Sequence, residues 1–249
     1  MLVQANITID GVYPWGRSFE EYVAMFALSD RDLKSRILSC ADGPAAFNCE
    51  LTRRGGSVVS CDPLYRFTTG QIRGRIRQTR HLLKQHAEQN AHLFCWDLIR
   101  SPQEMARIRM RAMDEFLADY PTGSAAGRYL DQSLPNLDFP DQAFDLAICS
   151  HFLFLYSNDF TLDFHLDAIL EMCRVAREVK VFPLLDMEAQ KSVHLEAAMA
   201  ALTVAGYEPQ VVVVPYEFQR GGNQMLRIIG KRNQWTRNLT HFCSIFRAS

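Results

Sequence analysis

A chain of 249 residues with 48% hydrophobic and 22% charged residues has the composition of a soluble globular protein that buries a sizeable core. Its length fits one large α/β domain, or a core with a modest insertion. The net charge of −1 argues overall for neither nucleic acid nor a membrane surface as partner, and no apolar run is long enough for a transmembrane helix. The start, MLVQANITIDG, has neither a basic segment nor a long apolar region, so no secretory signal is expected. Seven cysteines, odd in number and without a Cys-x-x-Cys pair, argue against disulfides and structural zinc. Cys40, Cys61 and Cys149 lie in apolar runs, where cysteine acts as a small buried hydrophobe. A reducing cytosol is the expected setting, with no resident metal.

In chain order, Ser18–Leu28 places Phe19, Tyr22, Val23 and Phe26 on one helical face, with Ser18 as N-cap. Arg36–Cys40 reads as a strand. Pro44 follows Gly43 and suits the first position of a helix over Ala45–Arg54, which Gly55-Gly56 stops. Ser57–Cys61 is a second strand, ending at Asp62. From Phe67 to about Tyr120 the chain is polar, basic and helical in period, with a break at Pro102, and His92–Trp96 is read as helix. Between Arg66 and Arg111 ten Lys and Arg stand against three acids. Gly123–Gly127 reads as a loop and Arg128–Asp131 as a strand. Phe144–His151 has the continuous apolar character of a central parallel strand. Helices are expected over Leu162–Ala176, with Leu166, Ile169, Leu170 and Cys173 on one face, and over Ala189–Ala205, closed by Gly206. Val179–Leu184 is a strand between them. Val211–Phe218 and Gln224–Lys231 are too close for a parallel crossover and form an antiparallel hairpin.

The segment Ile37–Asp62, ILSCADGPAAFNCELTRRGGSVVSCD, and the block LPNLDFPDQAFDLAICSHFLFLY together resemble a class I S-adenosylmethionine-dependent methyltransferase. The resemblance runs from about Phe19 to Lys231. It implies an α/β, Rossmann-like methyltransferase three-layer sandwich: a mostly parallel seven-stranded sheet with a C-terminal antiparallel hairpin. The whole chain would be one such domain, with a helical insertion over about 67–127 and a tail at 232–249. In that family the turn after the first strand approaches the methionine portion of the cofactor, the acid ending the second strand binds the ribose, and a Leu-Pro-containing loop lies near the adenine. The first turn departs from the family's acid and Gly-x-Gly-x-Gly pattern. Those places hold Ser39, Ala41, Gly43 and Ala45, and alanines suit such a turn only at negative φ.

Each candidate residue carries two readings. Asp62-Pro63 is either a ribose site at the sheet's switch point or a strand-ending turn. Asp42, in the turn with Gly43 and Pro44, either binds the methionine ammonium or caps the following helix. Ser133 and Leu134 are placed as the adenine contact, or as ordinary loop. His151, ending the central strand, is either a general base, since its ordinary pKa suits physiological pH, or a hydrogen-bonded structural histidine. Phe152, Phe154 and Tyr156 either wall an acceptor pocket or belong to the core. Tyr13, Trp15, Arg17 and Tyr22 either form a lid over cofactor and substrate or pack as an N-terminal helix.

The expected activity is methyl transfer from S-adenosylmethionine to a small-molecule acceptor. The insertion would set acceptor choice. Arg73, Arg75, Arg77 and Arg80 spread over more than one helix face and lack a stacking motif, so nucleic acid is not an expected partner. A non-catalytic protein that binds S-adenosylmethionine or S-adenosylhomocysteine is the alternative. A nicotinamide cofactor is a third reading, against which stands the missing Gly-x-Gly-x-x-Gly fingerprint.

Overall fold

The computed structural model describes residues 14–230, so Tyr13 and the tail 232–249 lie outside the described residues. Seven strands, Arg36–Cys40 (β1), Ser57–Cys61 (β2), Tyr129–Leu130 (β3), Phe144–Ser150 (β4), Ala176–Phe182 (β5), Glu208–Val213 (β6) and Gln224–Ile229 (β7), form one sheet. Their order is β3-β2-β1-β4-β5-β7-β6. The first five strands are mutually parallel, and β7 runs antiparallel to both β5 and β6. This is the Rossmann-like methyltransferase sheet expected from the sequence, with its switch point between β1 and β4.

The helices are Phe19–Met25 (α1), Asp30–Leu33 (α2), Phe47–Arg53 (α3), Thr69–Gln89 (α4), Pro102–Ala125 (α5), Leu162–Val175 (α6) and Leu195–Val204 (α7). Both faces of the sheet are covered at its centre, which is why β1 and β4 are rich in consecutive buried residues, whereas the edge strand β6 is largely exposed. Leu38, Cys40, Ala147, Cys149 and Val181 share a core with Ala168, Ile169 and Met172 of α6 and Leu202 of α7. On the opposite face, Ile37, Val58, Leu146 and Ile148 share a core with α1 and with Phe47 and Leu51 of α3. The expected cap of α1 is present: Ser18 Oγ accepts the Glu21 N–H at 3.3 Å, and Glu21 returns the bond to the Ser18 N–H at 2.9 Å.

Between β2 and β3 the long helices α4 and α5 pack along a third core, where Ile72 and Ile76 meet Phe116, Tyr120 and Tyr129. Pro102 opens α5 rather than merely breaking a helix.

Several boundaries differ from the sequence reading. Pro44 lies in a turn, and α3 starts only at Phe47 with Ala46 at its N-cap and no side-chain cap. The Ala46 N–H instead donates to Arg17 O at 2.9 Å, which delays the first helical turn. Asp42 therefore does not cap this helix. Of His92–Trp96, only the start falls in a short 3-10 turn, Ala91–Leu93, while Phe94 bridges to Gln219 and stacks on Phe218 at 4.7 Å. Of the expected loop Gly123–Gly127, Gly123, Ser124 and Ala125 are not loop but the last turn of α5. Helix α7 begins at Leu195 instead of Ala189. The Asp186 carboxylate takes the Glu188 and Gln190 N–H groups, each at 2.9 Å, and holds that stretch as a tight loop. The first strand of the hairpin starts three residues earlier, at Glu208, and ends at Val213.

Candidate active site

A cavity of about 1290 Å³ opens at the carboxyl ends of β1, β2, β4 and β5, with Leu82, Gln85 and His86 of α4 on its outer side. Ligands of open α/β sheets bind in this crevice.

The turn leaving β1 forms one wall. Ala41 and Gly43 both have left-handed backbone, at φ +54 and +55. The condition of negative φ under which an alanine suits this turn is therefore not met at Ala41, whose conformation costs free energy for a residue with a Cβ. A Cβ built on Gly43 meets no atom within 4 Å, so the cavity reaches down to the backbone there. Pro44 stands beside it on the lining.

Asp42, between them, is turned inward. Its carboxylate accepts the hydroxyls of Tyr22 at 2.5 Å and of Ser39 and Ser60 at 2.6 Å each. Burial pushes its pKa up, and the three hydroxyls oppose that shift. Tyr22 is itself buried, with its ring stacked on Phe47 at 4.8 Å. The pair ties α1, β1 and β2 together along the cavity wall.

Asp62 stands where β2 ends. One of its oxygens accepts the Gly43 N–H at 2.9 Å, and the other accepts the Leu64 N–H at 2.7 Å. Pro63 opens a 3-10 turn over Pro63–Arg66, and Tyr65 Oη donates to Gly43 O at 2.8 Å. Asp62 thus does end its strand as a turn residue while also lining the cavity. Burial raises its pKa to about 6, against the lowering effect of the two N–H donors. Ser133 and Leu134, beyond β3, line the same half.

The other half is aromatic. Phe152, Tyr156, Phe160 and Phe164 line it. Phe152 meets the Phe160 ring at 5.4 Å, and Phe160 stacks on Phe164 at 4.4 Å. Phe154 does not join them, being fully buried against His165. His151 also has left-handed backbone, at φ +53. Its N–H donates to Phe182 O at 2.6 Å, and its Nδ1 lies 2.9 Å from Ser150 Oγ. Burial first, then the charges of Arg17 and Arg109, push its pKa well below the ordinary histidine value. The imidazole is neutral at physiological pH, not poised at its midpoint.

Arg17, read in the sequence only as part of a lid, lines the cavity beside Trp15. Behind it, Arg109 of α5 pairs with Glu21, whose second oxygen accepts Tyr216 Oη at 2.8 Å. That buried network went unread because its members lie in three distant segments. Phe160 and Phe164 were findable, since they continue the every-fourth-residue spacing of Phe152 and Tyr156. Among the described residues, no group of three or more His, Cys, Asp or Glu side chains is placed to hold a metal ion. No described helix is long and apolar enough to cross a membrane.

No protein-family model matches the chain. Among solved structures it is similar to magnesium protoporphyrin IX methyltransferase from Synechocystis with bound S-adenosylmethionine, at 12% identity and a TM-score of 0.45, over 86% of this chain and 78% of that one. It is also similar to a methyltransferase from Methanosarcina mazei, at 13% identity and a TM-score of 0.40, over 79% and 91%. The uncharacterized protein MJ0045 of Methanocaldococcus jannaschii is 30% identical over 214 residues, which cover 86% of this chain and 94% of that protein. With its sheet order fixing a class I methyltransferase fold, the chain belongs to the same family as that archaeal protein.

Proposed function

We propose that this protein is an S-adenosylmethionine-dependent methyltransferase acting on a small-molecule acceptor. The observation that carries the reading is one cavity with a polar half at the ends of β1 and β2 and an aromatic half after β4. Small-molecule pockets run to roughly 300–1,000 Å³. At about 1290 Å³ this one has room for a cofactor and an acceptor side by side.

The residues of the polar half fit the cofactor. A carboxylate has about four lone-pair positions. Asp62 therefore keeps positions free for ribose hydroxyls after taking two N–H donors. The open space over Gly43 and Pro44 admits the methionyl chain, and Asp42 retains one acceptor position for its ammonium. Ser133 and Leu134 flank the base with a hydroxyl and an apolar face. Tyr22 holds the wall by fixing Asp42.

When bound, S-adenosylmethionine would supply a methyl group activated by its sulfonium, with the thioether S-adenosylhomocysteine as leaving group. The protein's part is alignment, an effect that supplies a large share of the rate in such transfers. Phe152 and Tyr156 hold the acceptor and exclude water. His151 is the side chain placed to receive a proton there, but burial and the charges of Arg17 and Arg109 make it a weak base, suited only to a nucleophile whose own proton is acidic. The six described cysteines are free thiols, in keeping with a cytosolic setting.

Calorimetric titration with S-adenosylmethionine, S-adenosylhomocysteine and NAD separately tests the reading. Micromolar binding of the first two and none of NAD is expected. Failure to bind either sulfur nucleoside overturns it, and binding without turnover on any acceptor leaves a non-catalytic role.

A further inference from the structure

Among the described residues, four buried side-chain polar atoms have no hydrogen-bond partner: Trp15 Nε1, Arg17 Nε, and Arg109 Nε and Nη2. All four are N–H donors. Indole and guanidinium groups carry no acceptor lone pair, so only an acceptor can satisfy them. Leaving such groups buried and unpaired costs free energy.

The charge count points the same way. Arg109 acts electrostatically on Arg17, and the Glu21 carboxylate acts on both guanidiniums. Among the described residues, one carboxylate therefore stands against two guanidiniums, a surplus of one positive charge in this cluster. Arg109 spends its Nη1 on Glu21 behind the wall, whereas Arg17 and Trp15 line the cavity itself. The field of Arg17 falls on His151, Tyr156 and Tyr216, which border the aromatic half. Burial and the neighbouring Arg109 lower the Arg17 pKa to about 10, so it remains a cation at neutral pH.

We infer that Arg17, assisted by the indole N–H of Trp15, receives a carboxylate carried by the methyl acceptor. Acceptors of this protein are then apolar or aromatic acids, held by charge at one end and by the rings of Phe152, Tyr156, Phe160 and Phe164 at the other. A single negative charge matches the surplus, while a phosphate dianion would leave one charge uncompensated. A planar guanidinium also matches the two oxygens of a carboxylate. The inference rests on the methyltransferase reading, because it assigns the polar half to the cofactor.

The test is calorimetric titration of protein saturated with S-adenosylhomocysteine, using phenylacetate and the neutral phenylacetamide as probes. Phenylacetate should bind at least tenfold more tightly than the amide. Arg17→Gln should abolish the difference while keeping S-adenosylhomocysteine affinity within threefold, and Arg17→Lys should retain part of it. The Tm of Arg17→Gln should be no lower than that of the parent, since an uncompensated charge is removed; should that variant not fold, Arg17→Lys supplies the comparison. Equal binding of acid and amide, binding of neither, or a preference that survives in both variants overturns the inference. Loss of S-adenosylhomocysteine affinity in Arg17→Gln, with 5′-methylthioadenosine affinity kept, assigns the guanidinium to the cofactor's own carboxylate and also overturns it. Failure of the parent protein to bind S-adenosylhomocysteine sinks the methyltransferase reading instead. The acid and amide comparison is then made on the protein alone, where an Arg17-dependent preference supports an anion site and its absence removes that too.

Discussion

Asp62 accepts the Gly43 N–H at 2.9 Å, so the acid that closes β2 also sets the turn that closes β1. Removing it should cost both the ribose contact and the shape of the turn. Asp62→Ala is expected to weaken S-adenosylhomocysteine binding by about 2–4 kcal/mol, the sum of hydrogen bonds to a charged acceptor and a freed backbone donor. Calorimetry on a variant whose far-ultraviolet circular dichroism matches the parent checks this. Unchanged affinity would remove Asp62 from the site.

The same carboxyl predicts a pH dependence. Its folded pKa is about 6, raised by burial above the ordinary 3.8. Between those values the folded protein holds a proton that the unfolded chain has released. Its contribution to stability is therefore full below about pH 4 and is lost as pH rises through about 6. Ribose hydroxyls favour the ionised form, so cofactor affinity should move oppositely, strengthening as pH rises through about 6. Titrations between pH 5 and pH 8 should show this for the parent and a flat profile for Asp62→Asn. A parent profile as flat as the variant's counts against the assignment.

Tyr22→Phe removes one of three hydroxyls from the buried Asp42 carboxyl. A loss of about 1.5–3 kcal/mol in urea denaturation is expected, the worth of a hydrogen bond to a charged group. A change below about 0.5 kcal/mol would mean that Ser39 and Ser60 suffice.

Arg109 and Glu21 are both buried, and breaking such a pair from one side costs about 3–5 kcal/mol. Arg109→Met should fall at the low end, because Arg17 also acts on Glu21. Adding Glu21→Gln should recover much of the loss. A double-mutant cycle with additive losses would show that the two do not act as a pair.

His151 sits at φ +53, a conformation that asparagine tolerates better than most residues. His151→Asn should therefore fold normally and bind S-adenosylhomocysteine within about twofold of the parent. If the imidazole takes the acceptor's proton, turnover on an acidic oxygen or nitrogen acceptor should fall by roughly 10²–10⁴-fold. Parental turnover in that variant would leave His151 a structural role.

The sheet was legible because its central strands are buried on both faces. Ile37 and Leu38, adjacent in β1, serve opposite cores, so apolar residues follow one another there instead of alternating with polar ones. The cavity's floor was legible for a related reason: Asp42, Gly43 and Asp62 stand at positions set by strand ends. What failed depended on distant partners. Gly123 looked like a loop glycine, yet a side chain there would run into the Tyr129 ring, so the residue is small for packing and the helix continues through it. Phe94 is drawn into extended backbone by Phe218, more than a hundred residues away, where periodicity has no reach. Arg17 could be placed near the cofactor by position, but that no carboxylate pairs with it among the described residues is visible only once Arg109 has taken Glu21.

Helix α4 meets the cavity through Leu82, Gln85 and His86 but contributes no strand to the sheet. Its inner face can therefore drift by substitution without disturbing β1, β2 or the carboxylates they carry. A relative that differs at these three positions would keep the sheet and its carboxylates, and exchanging Thr69–Gln89 between two such chains tests whether this helix carries the cavity's binding preference.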